Sequence, residues 1–239
     1  MLAVVLAAWQ AVGSETYRFA IPTFTATLSA FLEMVGDGSL AAGMLVSNQA
    51  MVAGFLLAML FATPLGVAMG RNARVERIAS PYLAILLAVP MITMLPVVQA
   101  IFGLDIGARV IYVFLGSFVY LALNTAAGVR TVDGELLQMA MSFGTPRLRM
   151  FRHVILPAAV PSIMAGVRVG VTRAIVAMVL AELVFAGAGI GNLLLRYRAR
   201  FESAHVLAIA LTLVLEGILV TALARRLELR ASRWRGGDT

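Results

Sequence analysis

Three stretches without a single charged residue constrain this chain most: Gly38–Gly70 (33 residues), Ile78–Leu104 (27) and Val110–Val129 (20). A helix crossing the hydrocarbon core of a bilayer needs about 20 mostly apolar residues, so each stretch is long enough to span. Hydrophobic residues make up 61% of the 239 and charged residues only 13%. An average soluble domain is about 45–50% apolar and about 25% charged. A soluble globule, a disordered chain and a disulfide scaffold are excluded. The expected fold is all-α: a polytopic transmembrane bundle of roughly six spans.

Further counts narrow the chemistry. There is no Cys, which removes disulfides, thiolate metal sites and a Cys nucleophile. All 19 basic residues are Arg. A P-loop needs a Lys to reach the phosphates, so the chain carries no ordinary ATPase site and no nucleotide cofactor of its own. Two His are too few for a metal site. The net charge of +7 reads as membrane topology and not as nucleic-acid binding.

Residues 1–47 read as a short first span, Met1–Gly13 with Trp9 near an interface, followed by an interfacial helix carrying Phe24, Leu28, Phe31 and Leu32. Residues 48–225 form the core. Its spans are expected at Asn48–Met69, Pro81–Phe102, Arg109–Ala127, Val160–Phe185 and His205–Ala224, with Pro90 and Pro96 interrupting the third crossing. Residues 226–239 are a tail. Even numbers of crossings separate the loop with Arg71, Arg74 and Arg77, the segment with Arg130, Arg147, Arg149 and Arg152, and the tail with Arg225, Arg226, Arg230, Arg233 and Arg235. Together these hold 12 Arg against five opposite (Arg18, Arg109, Arg196, Arg198, Arg200). The bias puts the first group, with loop 130–157 and the C-terminus, in the cytoplasm.

The segment 130–157 is punctuated as two short helices. Asp133 can cap a helix over Gly134–Phe143, and Gly144 suits the left-handed position after it. Thr145 can cap a second helix with Pro146 at its first position. That helix sets Leu148, Phe151 and Ile155 on one face and ends at Pro157. Periodicity alone leaves two uses open: a knob for a groove in a partner protein, or a helix pair packed on the chain's own spans.

Gln138-Met139-Ala140, Gly144 and Val154-Ile155-Leu156-Pro157 resemble the EAA motif of ABC-transporter permeases: E-A-A, three residues, G, nine residues, I-x-L-P. Gly144 and Pro157 keep the required separation of 13 positions. The departures are Gln138 for Glu, Met139 for Ala and Val154 for Ile. The resemblance runs from about Leu45 to Asn192 and is strongest to the nitrate/sulfonate/taurine branch of importer permeases. Supporting stretches include Pro64-Leu65-Gly66, Val89-Pro90, Leu95-Pro96, Asn124-Thr125-Ala126-Ala127-Gly128, Ala181-Glu182 and Gly189-Ile190-Gly191. It implies a type I importer permease in a bacterial inner membrane. Two permease copies, a homodimer, would pair with two cytoplasmic ABC ATPases that bind the ATP, in lipid, with an extracytoplasmic binding protein delivering the solute. Gln138, Met139, Ala140, Gly144, Leu156 and Pro157 would couple to the ATPase. The competing class is an ion-gradient-driven transporter. That class often shows inverted repeats with paired broken helices, and no second copy of the Pro90/Pro96 span occurs.

Charges at mid-bilayer cost about 2.5–3.5 kcal/mol on insertion scales and need a partner or a wet cavity. Arg168 and Glu216, each about 12 Å from one membrane side by helical rise, are expected to pair between the fifth and sixth spans. Arg173 lies on another face. With Gln99, Asn124 and Glu182 it makes the candidate polar pathway, and it suits an anionic solute. The alternatives are a structural Arg bonded to Gln99, Asn124 or backbone carbonyls, and a gate or packing role for Glu182. Gly66/Gly70 and Gly166/Gly170 permit close helix approach.

Overall fold

A computed structural model describes residues 2–15, 22–132, 134–185 and 187–232. Among them every regular element is helical: α1 (Leu2–Glu15), α2 (Phe24–Gly36), α3 (Ser39–Arg71), α4 (Ala73–Ala88), α5 (Met91–Phe102), α6 (Ile106–Arg130), α7 (Gly134–Ser142), α8 (Arg147–Met150), α9 (Leu156–Phe185), α10 (Ile190–Ala199) and α11 (Ser203–Ser232). A π-helical turn, Phe151–Ile155, joins α8 to α9. The expected tail therefore begins inside α11. Arg18, Asp133, Arg233 and Arg235 lie outside the described residues.

Local chemistry sets several boundaries. Thr23 accepts from the Ala26 N–H (3.2 Å), Asn72 from Arg74 (2.9 Å), and Asp37 from Ser39 (2.8 Å), each satisfying a donor at a helix start. Trp9 donates to the Pro22 carbonyl (3.0 Å) and meets Phe24 edge-on, tying α1 to α2.

Four helices, α3, α6, α9 with its leading turns, and α11, are long and apolar enough to span among the described residues. Two expected spans differ. At 14 residues, α1 reaches only about 21 Å, short of a bilayer core of about 30 Å. The Pro81–Phe102 crossing is a broken pair, α4 and α5, bent by 102°. The break is at Val89-Pro90: Val89 is extended (ψ 123°), as the residue before proline prefers. Pro90 then accepts from the Thr93 N–H (2.9 Å) and starts α5. Pro96 lies within α5 without ending it.

Small residues set the register. A Cβ on Gly54, Gly66 or Gly70 of α3 would strike α6 at Val110 and Val113, at Ala122 and Thr125, and at Ala126 and Val129 respectively. The pairing advances in the same direction on both helices, so α3 and α6 are parallel. The bent pair α4–α5 thus returns the chain from one end of the bundle to the other. On α9, Gly166 meets Asn124 and Gly170 meets Leu121, so α6 and α9 are antiparallel. The Thr172 and Thr221 hydroxyls lie 3.4 Å apart and Arg168 lies against Glu228, so α11 is antiparallel to α9. Arg71, Arg130, α7–α8 and the end of α11 consequently share one end of the bundle. Arg109, Glu182 and α10 sit at the other.

The core lies between α3, α6 and α9. Met51, Leu95, Val98, Tyr112, Met178 and Phe185 are among its buried side chains. The Tyr112 hydroxyl donates to the Met91 carbonyl (2.8 Å), anchoring the start of α5.

Candidate coupling segment and polar pathway

At the basic end, α7 closes as expected on Gly144. The Gly144 N–H reaches the Met141 carbonyl (2.9 Å) and the Thr145 N–H reaches Ala140 (3.1 Å). This is the Schellman pattern. It needs the left-handed φ of +66° at Gly144, and nothing lies within 4 Å of where a Cβ would stand. The glycine is there for its backbone. Thr145 spends its backbone on the preceding helix, and α8 starts one residue later than expected, with the Pro146 carbonyl accepting from Met150 (3.0 Å).

Pro157 does not end the second helix. Helix runs unbroken over Leu148–Phe185. The Leu156 N–H reaches back five residues to Phe151. This widened turn lets a helix carry proline, which lacks a donor and crowds the preceding turn. The expected single apolar face is also divided. Ile155 is buried with Val129, Val132 and Ala159, and the Arg71 guanidinium stacks on Phe151 (4.8 Å). Leu148 points away and is 78% exposed; Phe143 is 82% exposed. Leu136, Met139 and Met141 are exposed beside them, as is Gln138, whose carbonyl accepts from the Ser142 hydroxyl (3.0 Å). Ala140, Leu156 and Pro157 are half-buried. The Arg130–Glu76 ion pair links the end of α6 to α4.

The polar residues of the spans divide into separate groups. Arg173 is exposed on α9, its guanidinium 4.5 Å from the centre of the Tyr120 ring on α6. One turn along α6, half-buried Asn124 donates to the Tyr120 carbonyl (2.8 Å). Gln99 is half-buried on α5, and among the described residues no hydrogen bond joins its side chain to Arg173 or Asn124. Glu182 is fully buried at the far end of α9. It lies 3.7 Å from Arg109, and its carboxylate accepts from Ser47 (2.8 Å) and from the Gly191 N–H (2.9 Å).

The Arg168–Glu216 pair does not form. Arg168 pairs with Glu228 (3.0 Å). The reason is the α9–α11 register. Arg168 lies one turn from Thr172 in the direction of Glu228, whereas Glu216 lies on the other side of Thr221, about 18 Å along the helix from Glu228. Glu216 is buried, and no hydrogen bond or ion pair to it occurs among the described residues.

Residues 54–233 match the sequence family described as binding-protein-dependent transport system inner membrane component. The chain belongs to that family. It is the permease subunit of an ABC importer, and in such systems the ATPase is a separate chain. The chain is 29% identical over 235 residues to a Bacillus subtilis protein named as an aliphatic sulfonates transport permease, SsuC, covering 98% of this chain and 85% of that one. It is 28% identical over 244 residues to the taurine transport system permease protein TauC of Escherichia coli, covering 98% and 88%. The fold is that of the inward-facing MetNI methionine ABC transporter, with a TM-score of 0.71 at 18% identity over 80% of this chain and 95% of that one.

Sequence reasoning about this permease missed Arg109 as a partner of Glu182, counting it only among the loop cations. A signal was available: Glu182 needs a counter-ion, and the start of the fourth span carries an Arg expected at the same end.

Proposed function

We propose that the segment Gly134–Pro157 couples this permease to its ATPases, on the cytoplasmic side, and that the permease carries a small anion of sulfonate type as part of a homodimer served by two ATPases and a binding protein. The observation that carries the coupling role is the exposed apolar cluster Leu136, Met139, Met141, Phe143 and Leu148 at the arginine-rich end of the bundle. An apolar patch outside the membrane marks a protein interface. The segment is continuous with α9 through the π-turn, so a push on it moves a spanning helix. The same end holds the basic segments that the positive-inside rule assigns to the cytoplasm.

Arg173 supports the anionic solute. It lies about 18 Å by helical rise from Phe185, near mid-membrane. Among the described residues no carboxylate pairs with it. An exposed, unpaired guanidinium cannot face lipid at that depth without heavy cost, so its face is wet or covered by protein. With Tyr120 and Asn124 beside it, it makes a cationic station along the pathway. The sulfonate and taurine names of the relatives fit this chemistry.

The test of coupling is Gly144→Val. A left-handed φ costs an L-residue about 1–2 kcal/mol, and the Schellman turn is lost. The variant is expected to insert and elute like the parent with its ATPases, while uptake and substrate-stimulated ATP hydrolysis in proteoliposomes fall at least tenfold. Parental uptake and hydrolysis would refute the role.

A further inference from the structure

One carboxylate at the end of the bundle opposite the coupling segment joins four helices. Glu182 of α9 accepts from the Ser47 hydroxyl of α3 and from the Gly191 N–H that opens α10. Ser47 Oγ accepts in turn from the Ile190 N–H (2.9 Å). Arg109 of α6 stands 3.7 Å from the carboxylate and donates to the Ala188 carbonyl (3.1 Å). The first free N–H groups of α10 are thus satisfied by side chains from two other helices. Gly189 is left-handed (φ +100°), and Glu182 fills the place its Cβ would take. Gly43 of α3 faces the same segment, where a Cβ would stand at ordinary contact distance, 3.5 Å, from the Ile190 Cα.

This cluster is a poor way to gain stability. A buried ion pair loses the hydration of both charges, and apolar side chains of similar volume commonly do as well. Its advantage is that water can dissolve it. Glu182 is wholly shut from solvent and Arg109 almost so, and hydration of both would release α10 from α3 and α6 together. α10, at 10 residues, is too short to span, so it is held at the mouth by these contacts and its apolar underside.

We propose that Arg109, Glu182 and Ser47 form the latch of the outer mouth. They hold Gly187–Ala199 against α3 and α6 while the permease is closed to the outside, and the latch opens when solute is admitted. Arg109 and Glu182 are positioning residues, acting through the segment they hold. The inference rests on family membership and the proposed orientation, not on the role of the coupling segment.

The absence of Cys permits a clean lock. A Cβ on Gly43 would lie 3.5 Å from the Ile190 Cα, within disulfide reach. In the permease assembled with its ATPases in proteoliposomes, oxidised Gly43→Cys/Ile190→Cys is expected to lose at least 90% of its uptake, about tenfold, and dithiothreitol to restore the reduced rate. Uptake at the reduced rate with the cross-link shown by mass spectrometry would overturn the latch. Glu182→Gln gives a second reading without a cross-link. It is expected to raise ATP hydrolysis without binding protein at least threefold, roughly, while binding-protein-stimulated uptake falls. A ratio of basal to stimulated hydrolysis equal to the parent's overturns the proposal whatever happens to yield, because a purely structural role would scale both together.

Discussion

At the scale of single residues, Arg173 and Glu216 stand in opposite situations. Arg173 is exposed and stacked on Tyr120, while Glu216 is buried without a partner among the described residues. A hydrogen bond to a charged group is worth about 1.5–3 kcal/mol, so Arg173→Ala is expected to lower uptake of a sulfonate by about 10–100-fold, with Arg173→Lys intermediate. Uptake assays against a panel of sulfonates and uncharged analogues check it, and unchanged uptake removes Arg173 from the pathway. Glu216 makes the converse prediction. An ionisable side chain in the middle of a spanning helix costs about 2.5–3.5 kcal/mol on insertion scales, so Glu216→Leu should raise the melting temperature in detergent by about 2–4 °C per kcal/mol recovered, leaving uptake intact. A lower melting temperature would mean that the assembled transporter supplies Glu216 with a partner. Sequence reading identified both residues as intramembrane charges but paired Glu216 wrongly. Pairing across helices depends on how far one helix slides along the next, and that offset is fixed by contacts such as Thr172–Thr221 that no spacing within one span reveals.

At the scale of elements, the division between legible and hidden follows how local the cause is. The Gly144 turn was legible because a left-handed C-cap is written in four residues. So was the close approach of Gly66 and Gly170, although not which helix each one meets. The continuity of the second loop helix through Pro157 was hidden. Pro157 reads as a stop, and the π-turn that accommodates it is held in place by packing of Ile155 and Phe151 against α6 and α3. The glycines themselves offer a paired test. A Cβ on Gly66 would come within 2.6 Å of the Thr125 Cβ, while Gly217 has nothing within 4 Å. Gly66→Ala is expected to destabilise the protein by about 1–3 kcal/mol through overpacking. Gly217→Ala should stabilise it by up to about 1 kcal/mol through helix propensity. Thermal unfolding followed by size-exclusion fluorescence separates them, and equal shifts would show that the α3–α6 seam yields to an added methyl group.

At the scale of the whole molecule, the parallel run of α3 and α6 decides how the two ends are used. It obliges the bent pair α4–α5 to recross. That places the arginine-rich loops and the proposed coupling segment at one end and α10 with the Glu182 cluster at the other. The count of arginines on each side pointed to the same partition from sequence alone, because charge asymmetry survives a misjudged span: α4–α5 is bent by 102° yet still changes sides. Each end carries a large aromatic side chain almost free of neighbours, Phe143 at 82% exposure and Phe201 at 85%. In this Cys-free chain, Phe143→Cys and Phe201→Cys become single reporters of sidedness. With a membrane-impermeant maleimide, Phe201→Cys should label in intact cells and Phe143→Cys only after the inner membrane is opened. Binding of the ATPases should then shield Phe143→Cys, because the apolar cluster around it is the surface they would cover. Labelling of Phe143→Cys from outside would invert the bundle, moving the coupling segment away from ATP and the latch away from the arriving solute.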